Sequence, residues 1–151
     1  MEEKMKELLK ILDECLEYEG HEITEDIIMI YASSNREEVE CPYCGGKTKR
    51  IHSRGERRFR DLPIQGKKVE VVMKQRKMFC VNKACKRTTF SERFDFLPSK
   101  GKRSKRLTSE IIRVSLTVSS VTASKMLKES VADVGKSTIC NLLKKRQADY
   151  K

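Results

Sequence analysis

The chain has no tryptophan, and aromatic residues make up only 6% of its 151 residues. With 36% charged and 38% hydrophobic side chains it is globular but thinly cored. Long apolar runs are also missing. None approaches the roughly 18 residues of a membrane-spanning helix, and the start Met1-Glu2-Glu3-Lys4-Met5-Lys6 lacks the apolar stretch of a signal peptide. A soluble, cytoplasmic protein is expected, nucleoid-associated if its partner is DNA. At roughly 100 to 200 residues per domain, the length admits one ordinary domain or two small ones and excludes a large multidomain enzyme. No internal repeat is visible.

Acidic residues are scarce in one part only. Residues 1–40 hold four basic and thirteen acidic side chains, a net of −9, whereas 41–151 hold 29 basic and 9 acidic, a net of +20. The overall charge of +11 hides this contrast. A body so basic points to a polyanion, nucleic acid first and an anionic membrane second, with a merely solvated surface as the bland alternative. Its few carboxylates are scattered, and Asp61 reads as a turn cap or an arginine partner.

Periodicity divides the chain into four stretches. In residues 1–40, Met5, Leu8, Leu9, Leu12, Cys15 and Leu16 predict an amphipathic helix from Glu3 to about Tyr18, stopped by Gly20; Ile27–Ala32 predicts a strand. The helix stripe either packs on its own domain or mediates a homodimer. Residues 41–97 form a small β unit in which Val69, Val71 and Met73 mark a half-buried strand behind a turn at Leu62–Gly66. Residues 98–106 read as a basic linker. In 107–151, Leu107, Ile111, Val114 and Val118 share one helix face, Ser119 or Ser120 caps a second helix, and a third starts near Lys136. The fold class expected is α+β.

Six cysteines in a reducing compartment read as metal ligands or buried thiols. Cys41 and Cys44 are two residues apart and Cys80 and Cys85 four, pairs that can complete a tetrahedral four-sulfur site for one structural Zn2+, with iron as the alternative ion. Closed coordination leaves no place for a substrate, so the metal folds the unit rather than catalyses. The interval from Cys44 to Cys80 is too long for a compact finger and needs strands of its own. His52, among Arg50, Arg54, Arg57 and Arg58, is a weaker ligand candidate than a fourth thiolate; His21 has no evident partner. Cys15 and Cys140 read as buried structural thiols.

Residues 123–145 have helix-turn-helix proportions. In that motif the second helix enters the major groove and its first residues meet base edges, which selects Lys136, Ser137, Thr138 and Asn141 as base or phosphate contacts. Lys144, Lys145 and Arg146 would touch phosphates, as would Arg54, Arg57, Arg58, Lys102, Arg103, Lys105 and Arg106. Gly135-Lys136-Ser137-Thr138 imitates a phosphate-binding loop, but Ser130 stands where its first glycine belongs.

In order along the chain, Cys41-Pro42-Tyr43-Cys44-Gly45, Arg50-Ile51-His52-Ser53-Arg54, Arg60-Asp61-Leu62-Pro63 with Gly66, Phe79 to Cys85, Phe90-Ser91-Glu92-Arg93, Arg103 to Leu107 and Ser137-Thr138-Ile139 resemble the N-terminal region of ISL3-family insertion-sequence transposases. The resemblance covers about residues 27–146. It implies a zinc ribbon followed by a helix-turn-helix that recognises the terminal inverted repeats of a mobile element in double-stranded DNA. Family transposases also carry a ribonuclease-H-like catalytic domain whose carboxylates hold two metals. The expectation is therefore a DNA-binding N-terminal part or truncated copy, without phosphodiester chemistry. A stand-alone transcriptional regulator and a protein-interaction adaptor are the alternatives.

Overall fold

The computed structural model describes residues 2–149. Helix α1 (Glu2–Leu12) is shorter than its stripe predicts, because the stripe merges with an alternating Leu16-Glu17-Tyr18-Glu19 that forms strand β1 (Leu16–Ile23). The break is chemical: the Asp13 carboxylate accepts the Cys15 backbone N–H at 2.8 Å, an Asx turn that ends the helix. Cys15 thus lies in a turn rather than on a helix. Gly20 is no helix stop; it sits at φ +155° where the register of β1 shifts. His21 is not isolated either, since its Nδ1 meets the Tyr18 hydroxyl.

Strand β2 (Ile27–Ser34) follows as expected, then the two-residue strands β3 (Val39–Glu40) and β4 (Lys47–Thr48), which pair with each other. A long hairpin comes next, β5 (Ile51–Ile64) and β6 (Lys67–Phe79). Gln65 and Gly66, with φ of 50° and 76°, make its two-residue turn, and consecutive left-handed residues suit the twist of an antiparallel pair. Leu62, Pro63 and Ile64 belong to β5 and not to the turn, with Pro63 placed where the ladder is irregular and no N–H is needed.

The main sheet runs β1-β2-β6-β5, and β7 (Thr89–Ser91) pairs with the far end of β6. All contacts are antiparallel except β2 with β6. The change of charge at Cys41 is therefore not a change of fold, since β2 of the acidic stretch hydrogen-bonds to β6 of the basic one. Met5 and Leu9 of α1 are buried against Ile28, Ile30, Ala32, Phe59, Val69, Val71 and Met73 on one face of this sheet. The helix stripe is spent on the chain's own core, and of its apolar side chains Ile11 is the most exposed, at 73%.

Residues 98–104 do not behave as a free linker. The Arg60 backbone N–H donates to Lys102 O at 2.8 Å and the Ser104 N–H to Arg60 O at 2.9 Å, so the segment runs as a strap along β5. Three helices follow, α2 (Lys105–Ser115), α3 (Ser120–Ser130) and α4 (Lys136–Asp149). Ser104 caps α2 and Ser119 caps α3, each hydroxyl accepting a backbone N–H of the first turn. Leu107, Ile111, Ala123, Leu127, Val134 and Ile139 are buried together between the helices. Val118 packs there too, although α2 has already ended, where the Ser115 hydroxyl turns back onto Ile111 O.

Two buried carboxylates tie the parts together. Asp61 of β5 accepts Ser104 Oγ at 2.7 Å and Arg106 Nε at 2.8 Å, fastening α2 to the sheet and fulfilling its expected role as an arginine partner. Glu92 is 0% exposed and takes Ser34 Oγ of β2 at 2.7 Å, Arg76 of β6 at 3.0 Å and Arg36 at 3.5 Å. Removing one partner of such a buried pair leaves the other charge stranded. Glu92→Ala is expected to lower unfolding free energy by about 3–5 kcal/mol in denaturant titration; a loss under about 1 kcal/mol would refute that role for the carboxylate.

Candidate metal centre and cationic surface

The β3–β4 hairpin carries Cys41 and Cys44 in its loop. There the Gly45 N–H donates to Cys41 O at 2.8 Å and the Cys41 N–H to Gly46 O at 2.8 Å. Gly45 has φ +77°, a conformation costly for a residue with a Cβ. The second pair hangs on the end of β6: Cys80 follows its last residue and donates its N–H to Thr88 O at 2.9 Å. An Asn82 side chain accepting the Ala84 N–H at 3.0 Å then turns the chain so that Cys85 faces back. Met78 and Phe90, with Val39, form a small apolar base beneath the sulfurs.

All four Sγ atoms lie within 4.8 Å of one another, with Cys41 to Cys85 at 3.9 Å and Cys44 to Cys80 at 3.6 Å. A tetrahedron built on Zn–S bonds of about 2.3 Å has edges of about 3.8 Å, so the donor set fits one zinc ion. His52 stays outside the set, exposed, its ring against Phe79 at 4.9 Å and its Nδ1 beside Ser53 Oγ.

The sulfurs are electrostatically unequal. The Gly46 backbone N–H, aided by hydrogen bonds from Cys80, Asn82 and Cys41, brings the Cys44 thiol down to about 7. Cys80 is favoured as a thiolate by the Asn82 backbone N–H, yet burial and the neighbouring cysteines push it up to about 12. Four thiolates this close coexist only around a cation, and zinc supplies a cross-link between the β3–β4 loop and the end of β6.

The expected phosphate contacts separate into two groups. Arg57 is half-buried and donates to the carbonyls of Pro98 at 2.6 Å and Gly101 at 2.9 Å, which holds the strap; burial lowers its pKa. Arg106 is bound to Asp61, which raises its pKa. Both were expected at phosphates from charge alone, and both are engaged inside the protein. Arg58 is exposed but paired with Glu56 at 2.8 Å. Arg54, Lys102 and Lys105 are exposed and Arg103 half-buried, and among the described residues none of their side chains has a carboxylate partner. Lys102 and Arg103 line a groove of about 530 Å3 with Arg58, Arg60, Glu70, Ala132 and Asp133, between β5 and the turn preceding α4.

On α4, Lys136, Ser137, Asn141, Lys144 and Lys145 are exposed, Thr138 is half-buried and Ile139 buried. Ser137, Asn141 and Lys144 follow the i, i+4, i+7 spacing of one face. Cys140 donates to Ser120 Oγ at 3.5 Å, a packing role. One feature escapes a search for basic runs: Tyr43, between the first two ligands, carries the guanidinium carbons of Arg87 at 5.1 Å and Arg93 at 5.3 Å from its ring centre. The ring lies more than 40 residues from either arginine in the sequence, so no local signal marks it.

Metal content and pH test the centre. One Co2+ per chain with thiolate charge-transfer absorption is expected, and Cys80→Ser should abolish tight binding. Because the ligands must lose protons, affinity should fall on going from pH 8 to pH 6. A stoichiometry far from one, or pH-independent affinity, would contradict the four-thiolate site.

Residues 37–85 match the family model described as the zinc-finger of transposase IS204/IS1001/IS1096/IS1165. No match was found among curated proteins or among solved structures. No helix among the described residues is long and apolar enough to cross a membrane. The matched stretch runs from just before β3 to the last cysteine ligand and so contains both knuckles and the hairpin that joins them; this segment is similar to the zinc ribbon of ISL3-family transposases.

Proposed function

We propose that the chain binds double-stranded DNA at the terminal inverted repeats of a mobile element, serving as the DNA-reading N-terminal part of a transposase. The observation that carries this reading is the groove in which Lys102 and Arg103 lie without a carboxylate partner among the described residues, which opens beside the turn leading into the exposed face of α4. In this reading α3 and α4 act as a helix-turn-helix. Lys136, Ser137, Thr138 and Asn141 then approach base edges while Lys102, Arg103, Lys105, Lys144 and Lys145 hold phosphates. The α4 pattern supports it: the apolar side is consumed by the three-helix core, and what remains outward is short, polar and basic. The ribbon contributes no bond-breaking chemistry; a closed four-sulfur zinc stabilises the sheet that presents the strap.

Binding to an inverted-repeat duplex should exceed binding to a scrambled duplex. With about six phosphates neutralised, log affinity should fall against log salt with a slope near −5. Lys136→Ala/Ser137→Ala/Asn141→Ala should erase the preference for the inverted repeat while retaining most of the salt slope. Equal binding of both duplexes by the unaltered chain, or a preference untouched by the triple substitution, would overturn groove reading by α4.

A further inference from the structure

The Tyr43 cluster lies on the zinc knuckles, on elements other than the strap and α4. Tyr43 is 50% exposed, and Arg93 Nη2 donates to its hydroxyl at 3.4 Å. Arg36, Arg58, Arg60, Arg76, Arg106 and Arg113 each have a carboxylate within ion-pair distance, whereas among the described residues Arg87 and Arg93 have none. Their charge is unneutralised. Both guanidinium groups lie beside one ring.

A guanidinium lying over an aromatic face is attracted by the ring and has given up part of its rotamer freedom in advance, while its N–H edge remains available for an anion. The three side chains are also fixed from below. Tyr43 lies between two ligands, Arg87 stands two residues after Cys85 and sends its own backbone N–H to that sulfur at 3.5 Å, and Arg93 follows the buried Glu92. Arg93 further rims a groove of about 320 Å3 with Arg36, Glu38, Glu40 and Lys47.

We infer that Tyr43, Arg87 and Arg93 form a second phosphate grip, by which the zinc ribbon holds the DNA backbone independently of α4. This rests on the DNA reading above and adds a partner contact to the ribbon. Contacts to phosphate position without specifying sequence, so the grip should act equally on any duplex.

The test uses the full zinc-loaded chain and fluorescence anisotropy with inverted-repeat and random duplexes over a salt series. Arg87→Ala/Arg93→Ala should weaken both complexes alike and make the log–log slope shallower by about 2, since each phosphate contributes roughly 0.9. Tyr43→Phe keeps the ring and should leave the slope unchanged, whereas Tyr43→Ala should reduce it. Lys4→Ala/Lys6→Ala removes the same charge from α1 and should change nothing. Zinc content of one per chain certifies each variant, and Arg87→Gln/Arg93→Gln replaces the alanine pair if that fails to retain metal. A slope equal to the unaltered chain's in a zinc-loaded double variant refutes the grip alone. If the unaltered chain binds neither duplex, the DNA reading and the grip fall together.

Discussion

Strand β6 must satisfy two demands at once, and the architecture depends on both. Its middle is hydrogen-bonded to β2 on one side and β5 on the other, and its end passes directly into Cys80. The sheet register therefore sets where the third sulfur stands. A one-residue slip would turn Val69, Val71 and Met73 away from α1, since alternate residues face opposite sides. It would also move Cys80 along the strand direction by about 3.3 Å, more than a metal–sulfur bond can absorb. Core packing and metal ligation thus specify the same register.

Charge in this chain serves two purposes that composition cannot distinguish. Asp61 and Glu92, both buried, recruit Arg106, Arg76 and Arg36 to fasten helices, strap and strands. Arg57 does the same through backbone carbonyls. Among the described residues, those without an internal acid include Arg54, Lys102, Arg103, Lys105 and the Tyr43 arginines, Arg87 and Arg93. The acidic surplus sits on the first 40 residues, so the basic body keeps most of its charge unneutralised.

Local signals in the sequence were reliable where the physics was local. The Ile27 strand, the alternation through Val69 and Met73, the Ser119 cap, the start of α4 at Lys136 and the four cysteines each depend on a few adjacent residues or on a fixed ligand spacing. The failures were of another kind. The end of α1 was misplaced because Leu16 satisfies both a helical and an alternating period. The parallel pairing of β2 with β6 is invisible from either strand alone, because it joins the acidic stretch to the basic one across about 40 residues. The internal hydrogen bonds of Arg57 and Arg106 are equally illegible, because their partners, Pro98, Gly101 and Asp61, are some 40 residues away in the chain.

The parallel β2–β6 contact has a consequence for how the chain finds its fold. Ser33 and Lys74 are partners about 40 residues apart, and the whole first knuckle and the hairpin's outgoing strand must be accommodated between them. Joining Cys41 to Cys80 through a metal shortens that path to about 14 residues. By the logarithmic dependence of loop closure on length, this removes about 1 kcal/mol of entropic cost from the formation of the sheet. A ribbon closed by a metal would therefore bring the two central strands of the sheet within reach of each other at a lower entropic cost.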